Sequence, residues 1–281
     1  MLDPTVYGLE GKVAIVTGGS DGIGKGIALE MAKAGANIVI AARNSDRADA
    51  AADEIRAVGN KVLRVTADVQ KSRQVDNVVK QTLQEFGTID ILVNNVGGMI
   101  GVTGDVPFME TSEDFFDGII NINLKSTFIC TKAVVKVMIE EGKKGSIINI
   151  SSIVGLGACL TSPVYGAANA AIINLTMSLA AELGKYNIRV NSIAPSNVTT
   201  PLTDELYRGR MEARQIKLKF IPLGRFGLPE DIGKVAVFLA SGAAGFVSGH
   251  TIVVGGGLQH PLPAPLISSI FSELSSTSGT G

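Results

Sequence analysis

Tyr165 heads an alanine-rich stretch, VYGAANAAI (164–172), and Asn169 follows it one helical turn later. A tyrosine so placed can hand a proton to a reacting oxygen or take one from it, but a free phenol titrates near about 10. An ammonium within hydrogen-bonding range lowers such a pKa by roughly 1 to 3 units. Residues i and i+4 share a helix face, so a cation at position 169 could supply that charge. Asparagine is neutral and cannot stabilise a phenolate by charge. Losing the shift slows a proton-transfer step by on the order of 10- to 1,000-fold near neutral pH.

A second constellation suits phosphate. The run KVAIVTG leads into GSDGIGKGIALEMAKAG, so Gly18, Gly22 and Gly24, with Ser20, Asp21 and Ile23 between them, form a G-x-x-x-G-x-G turn between a strand and a helix. Glycines there turn the chain tightly and bring backbone N–H groups against a pyrophosphate at the helix N-terminus. Roughly 20 residues on, a carboxylate would hold ribose hydroxyls; the second strand ends instead in AARN, residues 41–44. Ala42 offers no carboxylate, and Arg43, followed by Asn44, offers a guanidinium that suits a 2′-phosphate. The pattern favours NADP(H) over NAD(H), although Asp21 adds negative charge beside the cradle.

The elements that must position these groups follow a regular rhythm. KVAIVTG, NIVIAAR, KVLRVTADV, IDILVNN, GSIINISS, NIRVNSIAP and HTIVVGGG are short β-branched runs, separated by amphipathic segments such as VDNVVKQTLQEFG that end in glycine. Seven strands alternating with helices predict an α/β fold, a doubly wound Rossmann-like parallel sheet with helices on both faces and ligands at the strands' C-terminal ends. One domain is expected over 1–258. Residues 259–281 change character: prolines, then Leu266, Ile267, Ile270, Phe271 and Leu274 at helical spacing, then a Ser/Thr/Gly stretch. That tail either packs on its own domain or lies on a neighbouring subunit.

Composition narrows the partners. Among 281 residues, 25 basic and 26 acidic side chains are intermixed and give a net charge of -1, which leaves no electrostatic footprint for nucleic acid or an anionic membrane. Long apolar runs are interrupted by polar residues, and no basic-then-apolar leader opens the chain, so the expectation is a cytoplasmic protein. Cys130 and Cys159 are too few for a disulfide framework and are expected to be buried small hydrophobes. His250 and His260 are too few and poorly accompanied for a metal site, and none is expected.

Taken together, these motifs resemble the short-chain dehydrogenase/reductase family over about residues 8 to 258. Thr17, Gly18, Gly22 and Gly24 match its TGxxxGxG turn, Asp68 and Val69 its adenine-contacting loop, and Asn94, Asn95, Val96 and Gly97 its NNAG with valine for alanine. Asn123 in NINL, Ser152 in INISS and Tyr165 match its catalytic asparagine, serine and tyrosine, and Pro195 in RVNSIAPSNVTTP its PG motif with Ser196 for the glycine. The departure is Asn169, where the family's YxxxK motif has lysine.

The resemblance implies a nicotinamide cofactor and a homo-oligomer, commonly a tetramer, otherwise a dimer. It implies that Tyr165 is the acid/base and that Ser152 polarises the substrate oxygen. Asp68 and Val69 would hold adenine, Asn95 and Gly97 the ribose side, and Val198 and Thr200 the carboxamide and phosphate. Asn169 could still bind the nicotinamide ribose or hold a water in a relay through Asn123. It reads either as a tolerated replacement or as a deliberate change that keeps the ribose contact. No other lysine is an obvious stand-in for the missing charge; Lys125 and Lys132 follow Asn123 on the expected fourth helix, and the fold decides whether either points inward.

Three functions fit these residues. The first is interconversion of a carbonyl and a secondary alcohol, at a rate lowered by Asn169. Its small substrate would be mainly apolar, lying beneath 97–109 and 199–220 with their Met99, Ile100, Val102, Phe108, Met109, Leu202, Leu206 and Met211. The second is a catalytically silent NADP-binding protein, a sensor or assembly subunit. The third, a reductase of activated C=C bonds, fits less well with retention of Ser152 and Tyr165.

Overall fold

The computed structural model describes residues 4–99, 106–159, 162–208 and 211–261. Seven strands form one sheet: β1 (Val13–Thr17), β2 (Asn37–Ala42), β3 (Val62–Thr66), β4 (Ile91–Asn94), β5 (Gly145–Ile150), β6 (Ile188–Pro195) and β7 (Thr251–Val254). Their order is β3-β2-β1-β4-β5-β6-β7, every pair parallel. The helices between them are α1 (Gly22–Lys33), α2 (Ser45–Ala57), α3 (Ser72–Phe86), α4 (Glu113–Ile120), α5 (Ser126–Glu140), α6 (Pro163–Leu183), α7 (Pro201–Leu206), α8 (Met211–Lys219) and α9 (Pro229–Ala240). All seven expected strands are present, as is the doubly wound arrangement.

Strand periodicity divides the core in two. Ala14, Val16, Ile38, Ile40, Ile91 and Val93 face α1, α2 and α9. Their alternates Val13, Ile15, Val39, Ala41 and Leu92 face α3, α5 and the end of α6. Both faces of a parallel sheet are covered, so successive residues along each strand are apolar rather than alternating with polar ones.

Local chemistry sets the helix ends. Asp21 accepts from the Gly22 N–H at 2.7 Å to cap α1, and Asn44 accepts from the Arg47 N–H at 2.9 Å to cap α2. Gly87, at φ 71°, closes α3 where a glycine stop is predicted. Closure of α1 against α9 depends on two glycines that no motif singled out. A Cβ on Gly26 would stand 2.6 Å from the Pro229 carbonyl carbon, and one on Gly233 2.8 Å from the Gly26 oxygen.

The strand order reverses between β1 and β4, which opens a crevice at their C-terminal ends. One expectation about helices changes. The helical stretch Pro163–Tyr186 is long and apolar enough by length and composition to cross a membrane, with only 33% of its most apolar window buried. Small residues, Ala and Gly among them, dilute its polar positions without interrupting it, and its inner side packs on β6 and the 153–156 turn. Of the predicted tail, 259–261 are described; Leu266, Ile267, Ile270, Phe271 and Leu274 lie outside the described residues.

Candidate active site

The glycine turn sits at the mouth of the crevice. Gly18 and Gly22 have φ of 65° and 52°, a region that L side chains rarely adopt. Gly24 lies so close to the Gly18 carbonyl and the Asn95 side chain that a Cβ there would collide with both. With the Gly22 N–H taken by the Asp21 side chain and that of Lys25 by the Asp21 carbonyl, the N–H groups of Ile23 and Gly24 have no acceptor among the described residues. Free N–H groups at a helix N-terminus fit a phosphate. Ser20 is half-buried beside them.

Asn95 joins the two strands that flank the crevice. Its backbone N–H donates to Thr17 Oγ1 at 2.9 Å, its side-chain Nδ2 to the Thr17 carbonyl at 3.0 Å and to the Gly18 carbonyl at 3.3 Å, and the Val96 N–H also reaches Thr17 Oγ1. Its amide nitrogen therefore holds the cradle in shape. Asp68 accepts from the Gln70 N–H at 3.0 Å, which fixes the turn after β3, and Val69 is buried there. At the end of β2, Ala42 is buried, whereas Arg43 is exposed and makes no hydrogen bond or ion pair among the described residues. Asn44 is engaged as the α2 cap, and Asp21 also pairs with Arg47 at 3.0 Å, so its charge is already countered.

Asn123 is buried in a π-helical segment, Asn121–Lys125, inserted between α4 and α5. Such bulges re-aim single side chains, and they recur at functional sites. Here Asn123 Oδ1 accepts from the Gly98 N–H at 2.8 Å while Nδ2 donates to the Gly98 and Ile119 carbonyls at 3.0 and 2.9 Å. A Cβ on Gly97 would stand 2.7 Å from Asn123 Oδ1, so the glycine permits this approach. On the far side, Thr200 caps α7, and its Cγ2 lies 3.4 Å from where a Gly22 Cβ would be. Val198 is buried and bridges Gly227, and Pro195 ends β6.

Ser152 follows β5 and accepts from the Val154 N–H at 3.4 Å, capping the 153–156 turn. That turn rests on α6 because Gly155 has no side chain; a Cβ there would be 2.7 Å from the Asn169 carbonyl carbon. The approach brings Ser152 to Tyr165 in the first turn of α6. Burial pushes the Tyr165 phenol above its ordinary value, hydrogen bonding from the Asn169 and then the Ser152 side chain offsets part of this, and Cys159 adds to the rise. Asn169 is 2% exposed, and its Nδ2 also donates to the Tyr165 carbonyl at 2.9 Å.

Among the described residues no cation acts on this phenol. Lys125 is exposed, and the Lys132 ammonium lies out over the exposed Phe128 ring at 5.7 Å. Burial thus favours the protonated form of the phenol, which is hydrogen-bonded to the Ser152 hydroxyl. Cys130 is the buried hydrophobe expected, with its thiol pushed up to about 12 by burial. Cys159 is not: it is half-buried and close enough to influence the phenol. Sequence reading missed it, together with Gly155, because their proximity to Tyr165 depends on how the serine loop folds back.

Around the site, Met99 packs with Tyr165 against Ile119 and Val164. Phe108, Met109, Leu202 and Met211 are exposed and Leu206 is partly buried; Ile100 and Val102 lie outside the described residues. Among the described residues no group of three His, Cys, Asp or Glu could hold a metal.

Residues 18–259 match the family model described as enoyl-(acyl carrier protein) reductase. The chain is 39% identical over 250 residues to 3-oxoacyl-[acyl-carrier-protein] reductase FabG of Thermotoga maritima, covering 89% of this chain and 98% of that one. This chain belongs to the short-chain dehydrogenase/reductase family. A short-chain type dehydrogenase/reductase from Mycobacterium marinum superposes with a TM-score of 0.84 at 35% identity, covering 91% of this chain and 98% of that one. A 7α-hydroxysteroid dehydrogenase, solved with NADH and 7-oxo glycochenodeoxycholic acid, gives 0.86 at 34%, covering 94% and 100%. This dehydrogenase/reductase thus shares with both the single doubly wound domain described above, and as a member of its family it is an oxidoreductase that uses a nicotinamide cofactor.

Proposed function

We propose that this oxidoreductase uses NADP(H) to interconvert a mainly apolar carbonyl compound and its secondary alcohol, working chiefly as a reductase. The observation that carries the reading is the buried Tyr165 phenol, hydrogen-bonded to the Asn169 and Ser152 side chains, with no cation acting on it among the described residues. Bound in the crevice, the nicotinamide supplies the hydride. The chain's own part is to protonate the oxygen that gains charge. Tyr165 gives that proton and Ser152 donates a hydrogen bond to the same oxygen. A protonated phenol is ready for reduction and unready for oxidation, which begins from the phenolate.

Arg43, unpaired among the described residues, and the missing carboxylate at Ala42 support NADP(H). Ile23, Gly24, Gly18 and Gly22 would hold the pyrophosphate, Asp68 and Val69 the adenine, and Val198 and Thr200 the carboxamide end. Asn95, Val96, Gly97, Asn123 and Pro195 shape the pocket around them. The retained Ser152–Tyr165 pair favours carbonyl over C=C reduction. The same reading makes the protein a cytoplasmic homo-oligomer, a dimer or tetramer, with neither nucleic acid nor membrane as partner.

NADPH oxidation across a panel of apolar ketones and aldehydes tests this, for the protein and for Asn169→Lys. Turnover in the parent, with a gain of roughly 10- to 1,000-fold in alcohol oxidation at neutral pH for the lysine variant, is the expected outcome. If both forms bind NADPH and neither turns over any member of the panel, the protein is a cofactor-binding subunit instead.

A further inference from the structure

A carboxylate is a poor neighbour for a phosphate, yet Asp21 stands in the phosphate cradle itself. Its Oδ1 accepts from the Gly22 N–H at 2.7 Å, so it cannot turn away without uncapping α1. Its Oδ2 accepts from Arg47 Nη1 at 3.0 Å. Arg47 lies in the first turn of α2, where its backbone N–H donates to the capping Asn44 side chain at 2.9 Å. One side chain therefore crosses from the start of α2 to the start of α1. The crossing does little for the fold: the Arg47 side chain is 65% exposed, and exposed pairs add little stability.

It lies at the edge where an adenosine ribose belongs. In a fold of this kind the pyrophosphate rests on the α1 N-terminus and the ribose 2′ position faces the end of the second strand. Here the two are tied directly, since the Gly18 N–H donates to the Ala41 carbonyl at 2.8 Å. Past the buried Ala42, residues 43–47 are exposed. Their charges are Arg43, Asp46 and Arg47, and the Ser45 hydroxyl donates to Asp46 at 3.2 Å. Lys25, the next cation along α1, is engaged with Glu54 at 2.6 Å. Arg43 and Arg47 thus balance Asp21 and Asp46, and without Arg47 this rim would turn a net negative charge toward a 2′-phosphate. Among the described residues only Nη1 of the Arg47 guanidinium is engaged by its side chain's partners, and its other N–H groups keep the planar fork that matches phosphate.

We propose that Arg47 is a second cofactor-selecting residue of this chain, cancelling the Asp21 charge and sharing the 2′-phosphate of NADP(H) with Arg43. The assignment rests on the NADP(H) reading above. Isothermal titration calorimetry of the full chain with NADPH and with NADH tests it, for the parent, Arg43→Ala, Arg47→Ala, Asp21→Asn and Asp21→Asn/Arg47→Ala. Asparagine caps a helix as well as aspartate does, so α1 keeps its start in the Asp21 variants. Arg47→Ala should weaken NADPH by about 10- to 100-fold and NADH by about twofold at most, with the NADPH loss shrinking as salt is raised. Adding Asp21→Asn to Arg47→Ala should recover roughly tenfold of the NADPH affinity, because the bare carboxylate is gone. The melting temperature of the cofactor-free protein should not change in Arg47→Ala, which separates charge selection from damage to the cradle. Equal loss of NADPH and NADH in Arg47→Ala, or no loss of either, overturns the proposal, as does a double variant that binds NADPH no better than Arg47→Ala. If Arg43→Ala abolishes the preference for NADPH and Arg47→Ala leaves it intact, the cofactor reading survives and the role of Arg47 falls; equal affinities in the parent remove both.

Discussion

The chemistry of this site turns on Tyr165 and on what surrounds its oxygen. Its phenol is raised by burial, and the neutral Asn169 and Ser152 side chains recover only part of the shift. A raised phenol stays protonated through neutral pH and loses its proton only above about 10. Carbonyl reduction, which uses the protonated form, should therefore be flat from about pH 6 to 9, whereas alcohol oxidation should climb about tenfold per pH unit over that range. In Asn169→Lys an ammonium lowers the phenol's pKa, so oxidation should level off at lower pH and the alkaline fall of reduction should move down with it. Profiles of kcat/KM in both directions check this; oxidation by the parent that levels off below pH 8 would mean that a charge reaches the phenol after all. Arg43 makes a separate prediction. Removing its guanidinium in Arg43→Ala should weaken NADPH by about 10- to 100-fold, corresponding to a charged hydrogen bond of about 1.5–3 kcal/mol, and leave NADH nearly unchanged. Equal affinities for the two cofactors before the substitution would sink the NADP assignment.

Among the elements, the contact that decides geometry is α1 on α9. α1 presents its N-terminus to the cradle, and Gly26 and Gly233 let α9 lie against it at a distance no side chain tolerates. Gly26→Ala drives a Cβ into the Pro229 backbone, and such overpacking costs about 1–3 kcal/mol. The expected result is a melting temperature several degrees lower, with weaker cofactor binding because the α1 N-terminus shifts; unchanged stability would show that α9 can move aside at no cost. The glycine stop on α3 and the presence of seven strands were legible beforehand, since short continuous β-branched runs mark strands buried on both faces and period-3.6 patterns mark helices between them. The π-segment around Asn123 was not, because the five residues Asn121–Lys125 are too few to show a change of helical period in the sequence.

At the scale of the whole molecule, one outer surface is apolar and open among the described residues. Phe128 on α5 and Met177 on α6 are about half exposed, on the side of the molecule away from the sheet, and two thirds of the apolar window of α6 is unburied. Self-association through this side, one way to form the proposed homo-oligomer, would remove it from water. Phe128→Glu with Met177→Lys should lower the mass measured by light scattering toward that of one chain, and an unchanged mass would place the interface elsewhere. Taken by itself, the sequence determined the seven strands, the winding, the family, and the places of Ser152 and Tyr165, because these are written in local periodicity and in motifs of short span. The tertiary structure alone decided what stands around Tyr165. Whether a lysine reaches the phenol, whether Cys159 is buried or beside it, and how near the serine loop approaches α6 depend on packing between segments far apart in the chain. Those distances set the desolvation that favours the protonated phenol.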